Sequence, residues 1–284
     1  MGFGLALFLS SLVVAVDPAP DVPARVQSNK TAASAGPFAA PPADEDKDVR
    51  ALRKAAEREN AEAQTNLGYA YESGKGVPQD SREAIRWYRK AAEQGNADGQ
   101  HNLGVYYYKG NGVPQDYAEA VRWWKKAADQ GNGRAQVGLG DAYEHGRGVP
   151  RDRAEAVRWD RKAAEQGEPV AQSALGFVYY DGSGVPQDYA EAIRWFRKAA
   201  DQGNGVAQSF LGLAYREGIG VTQDFAEAYF WENLATALEK SEARESHAVL
   251  RDQAAAKLSP ADLSATQKRC RQWLEAFEKR KAKK

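Results

Sequence analysis

Residues 61–96 read AEAQTNLGYAYESGKGVPQDSREAIRWYRKAAEQGN, and nearly the same 36 residues follow in 97–132, 133–168 and 169–204 without insertion or deletion. A fifth copy begins at Gly205 and becomes irregular after Trp231. A repeat of this length is typical of solenoids, in which each repeat buries its apolar side only by packing against its neighbours. The sequence therefore predicts one array of repeats, whose function lies on long surfaces rather than in one cleft.

The residues that flank each apolar segment predict two helices per repeat. Asn60 stands where an N-cap is needed, and Gly74 stands where a helix can end in the left-handed conformation. Asp80 precedes Glu83 by three residues, which predicts a capping box, and Gly95 follows the second helix. Because these signals recur along the chain, we expect a helix A and a helix B in each of the five repeats.

Both helices have one apolar side. Helix A of the first repeat carries Leu67 and Tyr71 four residues apart, and helix B carries Trp87 and Tyr88 on its apolar stripe. The Trp recurs in every repeat, and we interpret it as a core residue. The basic residues late in helix B are typical of a solvated face, and the glycine pairs between the helices are typical of turns rather than of a phosphate site.

The fifth helix B is apolar on its other side as well, so another element must cover it. Residues 242–258 and 260–280 predict two helices that can do so, and Cys270 lies on the apolar stripe of the second. Cys270 is the only cysteine, so no intramolecular disulfide is possible, and we interpret it as a small core residue.

The N-terminal residues predict export. Residues 1–16, MGFGLALFLSSLVVAV, carry no charged side chain and are too short to span a bilayer comfortably, which indicates a signal peptide. An uncleaved anchor and a mis-assigned start are the alternatives. Residues 17–43 contain six prolines and predict a disordered linker. Residues 44–60 predict a capping half-repeat, residues 61–240 five repeats (the fifth being 205–240), and residues 241–284 the capping helices.

Charge and motifs exclude several functions. Lys plus Arg and Asp plus Glu are both 39, so no basic field favours nucleic acid. The three histidines lie in different elements, and no motif supplies an activated nucleophile or a metal site. The sequence therefore predicts a protein that is not an enzyme and that has no cofactor and no metal.

The pattern A-x-A-Q-x-x-L-G-x-x-Y-x-x-G-x-G-V-P-Q-D-x-x-E-A-x-x-W-x-x-K-A-A-x-Q-G-N resembles the Sel-1-like repeat, a relative of the tetratricopeptide repeat. The resemblance implies a right-handed α-solenoid that serves as an adaptor or scaffold, often in the bacterial periplasm. The chain departs from the pattern at Asp160, which replaces an aromatic residue, at Thr222, which replaces a proline, and at the end of the fifth repeat.

Comparison of the repeats within the chain predicts a binding surface. Some positions of helix A hardly change between repeats, whereas others, on the opposite arc of the helix, change strongly. By resemblance to tetratricopeptide arrays, the varied positions form a concave groove, although exposed positions can also vary without any function. We expect exposed aromatic side chains and charges there to bind a partner. The predicted partner-binding residues are Tyr69, His101, Val105, Tyr108, Lys109, Arg134, Asp141, Phe177, Tyr180 and Leu213.

The sequence thus predicts an exported, monomeric, non-catalytic scaffold that binds a protein or peptide in this groove. It predicts no binding to nucleic acid, and membrane contact only through residues 1–16. The alternative hypothesis is an envelope protein that binds glycan or peptidoglycan, or an enzyme that interacts with β-lactams.

Overall fold

The structure, a computed structural model, describes residues 46–239 and 243–283. The predicted signal peptide at residues 1–16 and the predicted linker at residues 17–43 lie outside the described residues. All regular elements of the described part are α-helices, which confirms the all-α fold class. The described residues divide into two compact units: an N-terminal unit, residues 46–166, and a C-terminal unit, residues 167–239 with 243–283.

The N-terminal unit begins with an unpaired helix and continues with three pairs. Helix α1, which aligns with helix B of the repeats, has no helix A before it among the described residues. Each later pair is one repeat, and consecutive helices pack against each other. The helices are α1 (Lys47–Glu57), α2 (Ala61–Ser73), α3 (Ser81–Glu93), α4 (Ala97–Lys109), α5 (Tyr117–Asp129), α6 (Gly133–His145) and α7 (Arg153–Glu165).

The C-terminal unit contains two repeats and two further helices. The helices are α8 (Pro169–Asp181), α9 (Tyr189–Asp201), α10 (Gly205–Glu217), α11 (Phe225–Leu238), α12 (Ala243–Ala255) and α13 (Pro260–Lys281). Both α12 and α13 pack against α11 and cover its second apolar side. Cys270 of α13 is buried in this core, and burial raises the pKa of its thiol to about 11, so the cysteine is a packing residue.

The helix ends follow the predicted signals with one exception. The Asn60 side chain accepts a hydrogen bond of 2.8 Å from the Ala63 N–H, and Gly74 ends α2 with φ 69°. Asp80 caps α3, but the reciprocal bond of the capping box is absent, because the Asp80 N–H donates to the Tyr71 carbonyl at 2.9 Å. The predicted reciprocal role of Glu is therefore wrong.

A buried glutamine joins three helices in each repeat of the N-terminal unit. Gln64 of α2 is 1% exposed, and its Nε2 donates to the carbonyl of Ala56 in α1 at 3.0 Å. Its Oε1 accepts a hydrogen bond of 2.7 Å from Gln94, which caps the end of α3. The same bonds recur at Gln100 with Gln130, and at Gln136 with Gln166. The invariant glutamine thus fixes helix A against the preceding and the following helix B.

The fifth repeat lacks half of this arrangement. Gln208 of α10 is fully buried and donates to the Ala200 carbonyl at 3.1 Å, but its Oε1 has no hydrogen-bond partner. Leu238 stands where the other repeats carry the second glutamine. The irregular end of the fifth repeat therefore leaves one buried acceptor unpaired.

The basic residues of helix B also join neighbouring helices. The Nζ of Lys126 lies 4.3 Å from the ring centroid of Trp123, and Arg89 donates to the Tyr107 hydroxyl of the next helix A at 3.0 Å. The Trp123 ring is 7% exposed, which agrees with the predicted core role. The basic residues late in helix B are therefore not only solvated but also contact aromatic side chains of their own and the next helix.

The glutamine arrangement yields a stability prediction. Gln100→Ala removes two hydrogen bonds of a buried side chain and should lower the free energy of unfolding by about 1–3 kcal/mol. Gln208→Ala removes only one bond together with an unpaired buried oxygen, so its loss should be smaller by about 1 kcal/mol. Denaturant unfolding followed by circular dichroism measures both. Equal losses would contradict the role assigned to the second glutamine.

Candidate functional site

The varied positions of helices A in the N-terminal unit form the surface that we call the A-helix face. Its predicted residues are Tyr69, His101, Val105, Tyr108, Lys109, Arg134 and Asp141. Tyr69 of α2 is 59% exposed, which is the largest exposed fraction among the exposed large apolar side chains of the described residues. Lys109 and Arg134 are also exposed, whereas Val105 is half-buried. Arg134 pairs with Asp98 of the preceding helix A at 3.0 Å, so adjacent repeats are tied at this face.

Tyr108 is held in place rather than exposed. Its ring packs against Trp124 and Tyr117, with centroids 5.3 and 5.2 Å away. Its hydroxyl donates to Asp141 at 2.8 Å and accepts from Arg147, which also pairs with Asp141 at 3.1 Å. Burial, followed by the bond to Asp141, raises the pKa of Tyr108 to about 12. The expectation of an exposed Tyr108 is therefore wrong: it and Asp141 form a fixed polar support.

His101 is half-buried and not on an open surface. Its Nδ1 lies 3.0 Å from the Asn102 Oδ1, and its carbonyl accepts a hydrogen bond of 3.2 Å from Trp124 Nε1. Burial, followed by the positive charge of Arg134, lowers the pKa of His101 to about 4. His101 is therefore neutral at physiological pH and adds a hydrogen-bonding group but no charge to the face.

The predicted site residues of the C-terminal unit are mostly core. Leu213 is 5% exposed, so the expectation that it is accessible is wrong. Phe177 and Tyr180 are half-buried and pack edge-on against Phe210, with centroid distances of 5.6 and 4.8 Å. The rings of Phe177 and Tyr180 pack inside the unit because the aromatic residues of α8, α9 and α10 contact each other edge to face. The sequence comparison detected that these positions vary, but variation alone does not distinguish exposed residues from repacked ones.

Asp160 of α7 is a candidate that the sequence prediction left out of the site. In the first two repeats the equivalent residues, Tyr88 and Trp124, lie against a glycine of helix A. Asp160 puts a carboxyl there instead, and a Cβ at Gly140 would overlap it. Burial, followed by the charges of Asp141 and Glu144, raises the pKa of Asp160 to about 7. The one available signal was the replacement of an aromatic residue by an acid.

A serine, a histidine and a glutamate also meet in the C-terminal unit, but inside the core. His247 Nδ1 lies 3.2 Å from Glu232 Oε2, and Ser209 Oγ lies 3.2 Å from His247 Nε2. Ser209 is 3% exposed, His247 4% and Glu232 1%, and the Ser209 hydroxyl donates to the Gly205 carbonyl at 2.9 Å. No substrate could reach this hydroxyl, so the three residues hold α12 against α10 and α11.

Comparison with known families decides what kind of protein this is. The model of the Sel1 repeat matches residues 61–96, 97–132, 133–168, 169–204 and 205–238, well over half of the chain. The chain belongs to the Sel1 repeat family. Sel1 repeat proteins are generally protein-interaction scaffolds and are typically not catalytic. Among curated proteins, no match to the chain was found.

Solved structures agree with this family. A Sel1 repeat protein from Oxalobacter formigenes is 31% identical, with a TM-score of 0.63, over 72% of this chain and 90% of that chain. A protective antigen with an SLR fold, present in uropathogenic Escherichia coli strains, is 34% identical with a TM-score of 0.62. That match covers 82% of this chain and 56% of the antigen.

The described residues contain neither a candidate metal cluster nor a candidate membrane-spanning helix. Within residues 46–239 and 243–283, no His, Cys, Asp and Glu side chains cluster in a way that could hold a metal ion. In the same part of the chain, no helix has the length and apolar character needed to cross a membrane.

Asp160 generates a prediction of pH-dependent stability. Because the pKa of Asp160 is raised in the folded state, ionisation of its carboxyl destabilises the folded protein. This loss of stability is absent below the unfolded pKa near 3.9, grows as the pH rises, and is complete above about 7. Asp160→Asn cannot ionise and should be more stable than the parent at pH 8 by on the order of 2 kcal/mol, with little gain at pH 4. Thermal unfolding at several pH values measures this difference.

The matched control is Asp129→Asn, which changes an exposed acid of α5. It should follow the pH dependence of the parent protein. An Asp160→Asn gain that is the same at pH 4 and pH 8 would show that charge burial at Asp160 does not limit stability.

Proposed function

We propose that this Sel1 repeat protein is a non-catalytic scaffold that binds a protein or peptide partner on the A-helix face of its N-terminal unit. The observation that carries the proposal is the exposure of Tyr69, which is 59% open to solvent on a face whose other exposed residues, Lys109 and Arg134, are charged. Tyrosine is one of the residues that most often dominate the free energy of a protein interface. A partner that covers its ring would remove this apolar surface from water.

The charges of the A-helix face suit recognition of a partner with mixed charge. Lys109 and Arg134 are exposed, and Asp98 pairs with Arg134 at the surface. Such charges contribute to orientation and choice of partner more than to affinity. Tyr108 and Asp141 of this face bond to each other and to Arg147, so these side chains are held in place before binding. A rigid surface loses less conformational entropy when a partner binds.

The glycan alternative is less well supported by the same geometry. Sugar binding would need open aromatic rings, whereas the Tyr108, Phe177 and Tyr180 rings pack against other aromatic side chains. In the part of the A-helix face that the structure describes, Tyr69 is the one aromatic ring that is mainly exposed. We therefore favour a protein or peptide.

The proposal predicts the effect of changing the face. Tyr69→Ala combined with Arg134→Ala should weaken binding of the partner at least about tenfold, which corresponds to about 1.4 kcal/mol. The partner is first captured on the immobilised chain from envelope extract and identified by mass spectrometry, and its affinity is then measured with both proteins purified. Circular dichroism should show unchanged helical content, because Tyr69 and Arg134 are exposed.

The control changes the helix B side of the same repeats. Arg122 and Arg158 have side chains that are 60% and 73% exposed and pair only with a glutamate of their own helix among the described ion pairs. Arg122→Ala with Arg158→Ala should leave the affinity nearly unchanged. Loss of binding in this control, with binding retained in the Tyr69 and Arg134 variant, would place the partner on the helix B side.

We also propose that the protein acts outside the cytoplasm, in the periplasm or as a secreted protein. The support is the uncharged, apolar segment of residues 1–16, followed by a proline-rich segment. N-terminal sequencing of the protein from cells should find a chain that begins near Val16 or Asp17. Recovery of a soluble protein with an intact Met1 from the cytosol would overturn this proposal.

A further inference from the structure

We propose that the Asp160 carboxylate is the recognition group for a Lys or Arg side chain of the protein partner. This inference rests on the proposed function, because it names the chemistry that the scaffold selects. It adds a residue, Asp160, that is not among the varied helix A positions.

Asp160 lies close to Asp141 of the A-helix face. The residue equivalent to it in the second repeat, Trp124, donates to the His101 carbonyl and packs on Tyr108, so a large side chain at this position contacts residues of the A-helix face. Asp160 itself lies against Gly140 of α6, next to Asp141. It is half-buried, and no hydrogen bond or ion pair within the described chain reaches its carboxyl. The residue is therefore partly exposed, and its carboxyl has no counter-charge among the described residues.

The acids that neighbour Asp160 already have ion-pair partners. Asp141 pairs with Arg147 at 3.1 Å, and Glu144 pairs with Arg151 and Arg153, both at 3.1 Å. The nearby charges that act on Asp160 are those of Asp141 and Glu144, and both are negative. A cation placed beside Asp160 would therefore gain attraction from Asp160 without displacing an existing ion pair.

Another repeat also carries an acid at the position of Asp160. Glu232 stands two repeats after Asp160 at the same repeat position, and it too replaces the aromatic residue. Within the C-terminal unit, His247 of α12 approaches Glu232 with its Nδ1 at 3.2 Å from Oε2. The helix that supplies His247 to Glu232, α12, lies outside the five repeats. Glu232 thus shows that an acid at this position contacts a nitrogen-bearing side chain from an added helix. Asp160 holds the equivalent position, and we expect the partner to supply the basic side chain there.

A carboxyl at this position lowers the stability of the folded state. Most repeats place an aromatic side chain against the helix A glycine, where it packs. A carboxyl there loses this packing and is partly desolvated, which destabilises the folded state. Local choices that lower stability without a structural gain are expected at functional positions. Binding of a cationic side chain by Asp160 supplies such a function.

The test uses the full chain and a displayed library of random 12-residue peptides as the probe. Peptides retained by the parent protein should be enriched in Lys or Arg, and this enrichment should be lost on Asp160→Asn. For the strongest peptide, Asp160→Asn should weaken binding at least about tenfold, as should replacement of its key basic residue by norleucine. Combining the two changes should cost little more than either one alone, because both remove the same contact.

The controls separate this inference from the proposed function. Asp129→Asn, an exposed acid on α5, should leave the enrichment and the affinities unchanged. If peptides bind and Tyr69→Ala weakens them, but Asp160→Asn does not change the preference for basic residues, the Asp160 inference is wrong and the proposed face stands. If the parent retains no peptide and captures no partner, both fail. Circular dichroism of Asp160→Asn confirms that the variant is folded.

Discussion

The buried glutamine of helix A is the interaction on which the arrangement of the repeats depends. In the first repeat, Gln64 donates to the end of the preceding helix B and accepts from the end of its own helix B. Each bond crosses between helices, so it specifies where along its neighbours helix A must lie. Apolar packing alone is tolerant of small shifts, whereas a buried amide is stable only when its hydrogen bonds are made. The glutamine therefore fixes the relative position of the helices, and the apolar side chains pack within that arrangement.

The second constraint is the glycine of helix A that faces helix B. A Cβ at Gly68 would lie 2.7 Å from the Tyr88 ring, and one at Gly104 would overlap Trp124 in the same way. The glycine lets a large ring sit close to the helix A backbone, and the ring supports the face above it. Where the ring is replaced, as at Asp160 and Glu232, the same close position holds a carboxyl. The regular scaffold thus provides sites where one substitution changes chemistry without changing the fold.

The A-helix face combines rigid support with a small exposed apolar area. Tyr108, Asp141 and Arg147 are bonded to each other, and Arg134 is paired with Asp98 across two repeats. Tyr69 is left open on the first repeat. This distribution favours a partner that contacts a few points along several repeats. It also explains why the proposed functions depend on single side chains, although the fold is built from many near-identical units.

The sequence by itself determined the period, the two helices per repeat, their caps and the apolar stripes, because these depend on residues close together in the chain. It also indicated the family, through residues such as Gln64, Gly68 and Trp87. It could not determine which varied side chains are exposed. Leu213 is 5% exposed on α10, a helix that His247 of the added helix α12 contacts at Ser209. Tyr108 is bonded to an acid 33 residues later. Exposure, pairing and the raised pKa of Asp160 depend on side chains from distant segments meeting in space, so only the tertiary structure decided them.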